Sequence, residues 1–289
     1  MNDNCLTDMN YIKSLCGRHN FALSKGFGQN FIVNPGICPK IAEAAGIDET
    51  YGVLEIGPGI GVLTKELALR AKKVVAIEID ERLPALLAES LDGFTNVKLI
   101  MGDVLKLDLR KIISEEFGGL KVAVCANLPY YITSPIVMKL LEEKLPLEHI
   151  TVMVQKEAAQ RISAQPGTRD AGAISLAVRY YAQPKLLFTV QAGSFFPPPK
   201  VTSAVIQLVI NRQPAVETPN ETQFFKLIRA AFCQRRKTAQ NSISAGMGVP
   251  KAQIAAALEQ IGQNPLARPE QLTLEDFCGL QKALFAQKG

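Results

Sequence analysis

Seven short runs rich in Val, Ile and Leu alternate with helical patterns between about residues 35 and 210. The runs cover residues 53–56, 74–77, 97–100, 122–124, 150–154, 186–190 and 204–208. Strands that alternate with helices form a parallel sheet whose two faces are covered by those helices. This alternation constrains the fold more than any other feature of the chain, and it predicts an α/β fold.

The connection between the sixth and seventh runs, residues 192–200, is too rich in proline to form a crossover helix. We therefore predict that these two strands form an antiparallel pair at the sheet edge. After Asn211 the sequence changes to amphipathic stretches, which predict a small helical domain over residues 212–289. Residues 1–34 are polar with a glycine-rich end and predict an arm that orders over a ligand, which leaves residues 35–211 for the sheet.

Composition excludes several classes of protein. The chain has 289 residues, of which 47% are hydrophobic, so it can bury a large core. Its six cysteines lie far apart without a C-x-x-C pair, and it has only two histidines, so neither a metal site, a disulfide framework nor a Ser-His-Asp triad is expected. Because the first residues lack the features of a secretion signal and no apolar run is long enough to span a membrane, we expect a cytoplasmic protein.

The positive charge of the chain is concentrated in its last quarter. Residues 212–289 contain 10 Lys or Arg against 6 Asp or Glu, whereas residues 1–211 contain 22 against 21. This placement indicates a polyanionic partner for the C-terminal segment, although the same surplus is also normal for a solvated helical surface.

Asn127, Leu128, Pro129 and Tyr130 follow a buried strand and form a turn suited to a planar base. An Asn side-chain oxygen and the Leu128 carbonyl can accept the two N–H bonds of an exocyclic amine, while Tyr130 stacks on the ring. Proline disfavours helix at this point, so the carbonyl stays available to a ligand. The pattern predicts a site for adenine or cytosine, with a helix-capping Asn-x-Pro turn as the alternative.

A second motif follows the first strand, where residues 55–61 read Glu-Ile-Gly-Pro-Gly-Ile-Gly and open a helix. Glycines at a helix N-terminus let the backbone approach a ligand closely. The spacing G-x-G-x-G differs from the G-x-G-x-x-G of dinucleotide sites, and Glu55 would repel a pyrophosphate but attract a cation.

Acidic residues also stand at or beside the ends of the second and third strands. Glu78 can bind the hydroxyls of a ribose, and Asp103 can accept the amino group of adenine, because ligands of parallel sheets bind at the carboxyl ends of strands. The alternatives are that Asp103 caps a turn and that Glu78 with Asp80 starts a helix. Together with Glu55, these residues suit S-adenosylmethionine, which combines an adenosyl group with a cationic sulfur.

The chain resembles the ribosomal RNA adenine dimethyltransferases over nearly all of its length, in particular the bacterial enzymes that dimethylate two adjacent adenosines near the 3′ end of small-subunit ribosomal RNA. The resemblance rests on residues 28–31, 53–59, 77–80, 102–103, 127–130, 154–157 and 195–203. It implies a Rossmann-like class I methyltransferase sheet and transfer of methyl groups from S-adenosylmethionine to adenine N6.

The motifs and the resemblance together assign roles to individual residues. For the methyl donor we expect Gln29, Asn30, Ile32, Glu55, Gly57, Gly59, Glu78, Ile79, Asp103, Val104 and Asn127. For catalysis we expect the turn of Asn127, Leu128, Pro129 and Tyr130, with Phe195 or Phe196 closing over the target base. For RNA binding we expect Lys200, Arg229, Arg235, Arg236 and Lys237. Ala239 and Gln240 stand where the family more often has Leu and Arg, so one basic contact is missing.

The implied partner is the ribosomal RNA of an immature small subunit, bound by a monomer without metal. A DNA adenine methyltransferase shares the Asn-x-Pro-Tyr turn but commonly has Pro or an aromatic residue in place of Leu128. A dehydrogenase is disfavoured by the glycine spacing. A non-catalytic ribosome assembly factor on the same scaffold is disfavoured by the intact Asn127, Tyr130 and Glu78.

Overall fold

The computed structural model describes residues 6–24, 26, 28–234 and 236–285. They divide into two compact units. The first unit draws on Met1–Ala159 and Lys185–Ile210, and the second on Gln160–Pro184 and Asn211–Gly289. Within the described ranges, no helix is long and apolar enough to cross a membrane.

The strands of the described residues are β1 (Phe31–Ile32), β2 (Tyr51–Ile56), β3 (Lys73–Glu78), β4 (Val97–Met101), β5 (Lys121–Asn127), β6 (His149–Gln155), β7 (Ala182–Val190), β8 (Phe195–Phe196) and β9 (Ser203–Ile210). Seven of them form one sheet in the order β4, β3, β2, β5, β6, β9, β7. The pairs from β4 to β6 are parallel, and β9 runs antiparallel to β6. The predicted α/β fold, with its mostly parallel sheet and antiparallel edge, is confirmed, and each predicted run lies within a strand.

The helices around this sheet are α1 (Met9–Arg18), α2 (Ile37–Ala44), α3 (Val62–Ala68), α4 (Pro84–Ser90), α5 (Leu109–Phe117) and α6 (Thr133–Glu142), followed by α7 (Lys156–Ser163), which continues past the division between the units. Local signals explain several of their ends. Asp8 caps α1 by accepting the N–H groups of Asn10 and Tyr11, and α4 begins with Pro84, which suits the first helical position. Buried strand residues such as Val53 and Val74 pack with α2 and α3 in one continuous core.

The N-terminal arm predicted over residues 1–34 contains a packed helix. Ile12 and Leu15 of α1 are buried in one cluster with Leu83 and Leu86 near α4. Residues 1–5, 25 and 27 lie outside the described part of the chain. The described arm is therefore part of the core of the first unit, because every third or fourth residue of α1 presents an apolar side chain.

The second unit is helical. Its helices are α8 (Ala173–Tyr181), α9 (Glu221–Ala231), α10 (Ala239–Met247), α11 (Lys251–Gln260) and α12 (Leu274–Phe285). Residues 160–184, which the sequence places in the sheet domain, belong to this unit. The reason lies in aromatic packing, since the ring of Tyr181 stacks on Phe225 with a centroid distance of 5.4 Å and Tyr180 meets the same ring edge-on at 5.0 Å.

Candidate active site

An open pocket of the first unit lies at the carboxyl ends of β2 to β5 and contains about 1080 Å³ of empty space, which includes open solvent. The structure brings together at this pocket all the residues expected to bind the methyl donor, namely Gln29, Asn30, Ile32, Glu55, Gly57, Gly59, Glu78, Ile79, Asp103, Val104 and Asn127. The turn of Leu128, Pro129 and Tyr130 lines the same pocket. Parallel strands explain this convergence, because their carboxyl ends meet at one edge of the sheet.

The strand order also sets the order of the polar side chains across the pocket. Because the sheet runs β4, β3, β2, β5, the strand ends carry Asp103, Glu78, Glu55 and Asn127 in that spatial order. The order differs from the sequence, in which Glu55 comes first. An elongated ligand lying along this edge would meet the acidic groups before the amide.

The glycine loop after β2 adopts a conformation that side chains disfavour. Gly57 has φ +71° and Gly61 has φ +89°. A Cβ on Gly61 would also stand 3.0 Å from a methyl carbon of Leu91. The loop is held in place by the Gly57 N–H, which donates to the Ile77 carbonyl at 2.9 Å. Glycine is therefore favoured at both positions by the backbone conformation, and at position 61 by close packing as well.

Glu55 is 1% exposed, and no hydrogen-bond partner for its Oε2 stands among the described residues. The hydroxyl of the buried Thr64 in α3 lies near this carboxyl group. It also has no hydrogen-bond partner of standard geometry among the described residues. Burial raises the pKa of Glu55 to about 8, against a smaller lowering by Thr64. A cationic group arriving in the pocket would favour the charged form of this buried carboxyl group.

Glu78 is held in a fixed orientation at the end of β3. Its Oε1 accepts the backbone N–H groups of Ile79 and Asp80, each at 2.8 Å. Burial raises the pKa of this carboxyl, and the backbone N–H groups oppose that effect. These bonds fix the carboxylate at the pocket wall, where it can accept further hydrogen bonds from hydroxyl groups.

For Asp103 the sequence left two roles open, capping a turn or binding a ligand, and its position in the structure allows both. It caps a turn, because Oδ1 accepts the N–H of Leu105 at 3.0 Å, and it also lines the pocket. Its Oδ2 stands 3.7 Å from the exposed Lys106 ammonium. The neighbouring Ile79 and Val104 add apolar surface to the same part of the pocket.

The turn after β5 presents two free acceptors. Neither the side chain of Asn127 nor the carbonyl of Leu128 forms a hydrogen bond with any described part of the chain. Pro129 has φ −58° and ψ 131°, an extended conformation that keeps residue 128 out of the following helical turn. The turn is anchored instead through the Leu128 N–H, which donates to the Met153 carbonyl at 3.1 Å.

The aromatic residues around the turn differ in how deeply they are buried. Tyr130 is partly buried, and its hydroxyl lies 2.6 Å from Ser203 Oγ at the start of β9. Phe195 is 3% exposed and packs in the core of the first unit, so it cannot close over a base. Phe196 is half-buried, and its backbone pairs with that of Phe31 between β1 and β8. Phe31 lines the pocket, whereas neither Phe195 nor Phe196 is among the described residues that line it. Of the two rings predicted for this role, only Phe196 remains a candidate.

The family is identified by comparison with known proteins. The family model described as "Ribosomal RNA adenine dimethylase" matches residues 20–284 of this chain. The chain belongs to this ribosomal RNA adenine dimethylase family. The family and the enzyme class expected from the sequence, an S-adenosylmethionine-dependent ribosomal RNA adenine dimethyltransferase, are confirmed.

Individual relatives agree with this assignment. The dimethylase is 46% identical over 276 residues to "Ribosomal RNA small subunit methyltransferase A" of Geobacillus thermodenitrificans, with 94% of each chain covered. It is 47% identical over 272 residues to the protein of the same name from Shouchella clausii, with 93% of this chain and 92% of the relative covered.

Solved structures show the same likeness. A dimethyladenosine transferase from Plasmodium falciparum superposes with a TM-score of 0.72 at 29% identity, over 86% of this chain and 95% of that one. The 23S rRNA methyltransferase ErmE superposes with a TM-score of 0.67 at 28% identity, over 88% and 99% of the two chains.

The residues expected to bind RNA are distributed over both units of the dimethylase. Lys200 is exposed in the first unit, and Arg229, Arg236 and Lys237 are exposed in the second. Arg235 lies outside the described residues.

Sequence reasoning missed the contacts that hold the pocket wall of the dimethylase together. Gln29 Nε2 donates to Asp80 Oδ2 at 2.8 Å, while its Oε1 accepts the N–H of Ser24 at 2.9 Å. Asp80 also binds Arg82, whose Nε and Nη2 reach it at 2.8 and 2.6 Å. Since both ends of its amide are occupied, Gln29 holds the N-terminal segment at the pocket. The sequence around Asp80 gave no signal for its partner Gln29, which lies 51 residues earlier in the chain.

Proposed function

We propose that this dimethylase transfers methyl groups from S-adenosylmethionine to N6 of two adjacent adenosines in the 3′-terminal loop of small-subunit ribosomal RNA, giving N6,N6-dimethyladenosine. The observation that carries the proposal is the pair of free acceptors, Asn127 and the Leu128 carbonyl, beside three carboxylates in one pocket. The relatives named for the small ribosomal subunit are 46–47% identical, against 28% for the 23S rRNA enzyme, which favours the small subunit.

The pocket fits the methyl donor in its charge and in the order of its polar groups along the strand ends. Glu78 would hold the ribose hydroxyls, and Asp103 would accept the adenine amino group between the apolar side chains of Ile79 and Val104. Glu55 and the Gly57 backbone would hold the charged end, nearest to Asn127. When bound there, S-adenosylmethionine supplies an electrophilic methyl group on a sulfonium.

Asn127 and the Leu128 carbonyl orient the target amine. Each accepts one N6–H bond, which favours a pyramidal nitrogen whose lone pair points toward the donor. Tyr130 stacks on the adenine ring, and Phe196 closes over its other face. No general base is required, because the methylated amine loses its proton readily. A monomethylated adenine retains one N–H, so in the second transfer only one of the two acceptors is bonded and the pocket must also hold the first methyl group.

The substrate base must leave its stack to reach this pocket, so a loop or a single strand is favoured. We infer that the dimethylase acts as a cytoplasmic monomer on a partly assembled small subunit and has a role in the biogenesis of that subunit. Lys200 and the exposed Arg229, Arg236 and Lys237 would contact the RNA backbone, together with Arg235.

The test is mass spectrometry of nucleosides from small subunits of cells that lack this gene, before and after incubation with the purified dimethylase and S-adenosylmethionine. Dimethyladenosine should appear only after treatment, and fragment mapping should place it at two adjacent adenosines near the 3′ end. Duplex DNA, large subunits and naked ribosomal RNA serve as parallel substrates. Methylation of DNA or of large subunits in preference to small subunits would overturn the proposal.

A further inference from the structure

Tyr131 follows the catalytic turn directly but stands in a different environment from its neighbour. Tyr130 is partly buried and hydrogen-bonded to Ser203, whereas Tyr131 lines the same pocket with 60% of its surface exposed. The Tyr131 hydroxyl has no hydrogen-bond partner among the residues that the structure describes. A large aromatic ring is thus presented to solvent at the mouth of the pocket.

One edge of this ring is supported by backbone. A Cβ placed on Gly28 would lie 3.4 Å from Tyr131 Cε1 and 3.7 Å from Pro129 Cβ. The Gly28 backbone has φ +62°, and the lack of a side chain there leaves room for the ring. Tyr131 itself lies in the 3-10 turn Tyr130–Ile132, which follows the extended Pro129. The ring therefore lies beside the Gly28 segment, and most of it remains accessible.

The position of Tyr131 suits a nucleotide that lies next to the pocket and not inside it. Glu55 and Glu78 are buried, whereas Tyr131 lines the same pocket and is largely exposed, so its ring lies at the part of the pocket that faces solvent. A substrate with two adjacent adenosines leaves one of them just outside the pocket while the other reacts. Any unstacked base gains stability from an exposed aromatic ring, and a purine gains more than a pyrimidine because its larger ring system stacks more strongly.

We propose that Tyr131 stacks on the base next to the adenosine held in the pocket, and that it is a specificity-determining residue for RNA with two adjacent purines. The inference rests on the proposed function, because it assumes RNA as the substrate. Tyr131 does not contribute to binding of the methyl donor.

The test uses small subunits from cells that lack the gene, carrying either the natural adjacent adenosines or uridine at the second one. With natural subunits, Tyr131→Ala should lower kcat/KM for methyl transfer roughly 5- to 150-fold, mainly through KM, whereas Tyr131→Phe keeps the ring and stays near wild type. Replacement of the neighbouring adenosine by uridine should slow the wild-type enzyme at the remaining adenosine. The same replacement should have little further effect on Tyr131→Ala, since the two changes remove one interaction.

Two controls separate the possible outcomes. Leu69→Ala changes another exposed residue of the first unit, 56% exposed and away from the pocket, and should leave all rates unchanged. Donor affinity, measured by calorimetry without RNA, should be the same in wild type and Tyr131→Ala. If Tyr131→Ala lost as much donor affinity as it lost in kcat/KM, the ring would only support the Gly28 segment, and the inference would be wrong. Additive effects of the enzyme change and the RNA change would also overturn it. If wild type fails to methylate small subunits, the proposed function itself is wrong.

Discussion

Tyr130 Oη and Ser203 Oγ lie 2.6 Å apart, so the turn after β5 is joined to the start of β9, 73 residues later in the chain. Ser203 is fully buried, and burial raises the pKa of Tyr130. The tyrosine thus stays a neutral donor or acceptor over the working pH range. The contact fixes the plane of the ring that we assign to base stacking.

Removing either hydroxyl of this contact should leave the Tyr130 ring in place but hold its orientation less firmly. Tyr130→Phe and Ser203→Ala should each lower kcat/KM about 2- to 12-fold, the usual value of one hydrogen bond of about 0.5–1.5 kcal/mol. The double variant should be no slower than the slower single variant, because both changes break the same bond. Steady-state methylation of small subunits measures all three, and fully additive losses would contradict the assignment.

The sequence predicted the main features of the sheet because buried strands leave a strong apolar signal. Every predicted run lies within a strand, and the polar residues at the strand ends converge because parallel strands share one carboxyl edge. The partners of Tyr130 and Gln29 could not be predicted, since hydrogen bonds to Ser203 and Asp80 join residues far apart in sequence. Hydrophobicity alone could not show which of two adjacent phenylalanines faces the core.

Asn127→Ala should abolish most methyl transfer while leaving the fold intact. The side chain forms no hydrogen bond with the described residues, so its loss breaks no hydrogen bond among them. Loss of one oriented acceptor at the reacting nitrogen should lower kcat about 10²- to 10³-fold. Single-turnover methylation with saturating small subunits measures the effect, and the thermal unfolding midpoint should stay within the error of wild type. An unchanged rate would refute the role of this amide.

The titration of Glu55 should appear in the stability of the dimethylase. Burial raises its pKa from 4.5 to about 8, so between these values the folded protein keeps a proton that the unfolded chain has lost. The free energy of unfolding therefore falls as pH rises through this window. Glu55→Gln lacks this titration, so from pH 5 to pH 8 the stability difference should move in favour of the variant by at least about 1 kcal/mol.

Urea unfolding at several pH values measures this shift, with the exposed Glu43→Gln as the matched control. Parallel pH profiles of wild type and Glu55→Gln would contradict it. The same titration should affect the donor site, because the charged form of Glu55 attracts a sulfonium. The ratio of affinities for S-adenosylmethionine and its demethylated product should rise with pH toward 8 in wild type and stay flat in the variant.

Asp80 should control how firmly the N-terminal segment closes one side of the pocket. It is bound by Gln29 and by two nitrogens of Arg82, and the Arg82 hydrogen bonds lower its pKa. Asp80→Asn removes the charge that holds both partners, so we expect donor affinity to fall about 10-fold and protection of residues 28–32 from hydrogen exchange to decrease. The variant Asp92→Asn alters a carboxylate of the same unit outside the pocket and should change neither quantity.

The basic segment before α10 should dominate the salt dependence of RNA binding. Arg236 and Lys237 are exposed and follow the end of α9, so charge reversal there should not disturb the core. Each phosphate contact that is lost lowers the slope of log affinity against log salt by about 1. We expect Arg236→Glu with Lys237→Glu to weaken binding to small subunits most strongly at low salt, while the exposed Lys13→Glu in α1 leaves both affinity and slope near wild type. Filter binding from low to high salt measures these slopes, and a slope unchanged by the double reversal would exclude this segment from the RNA interface.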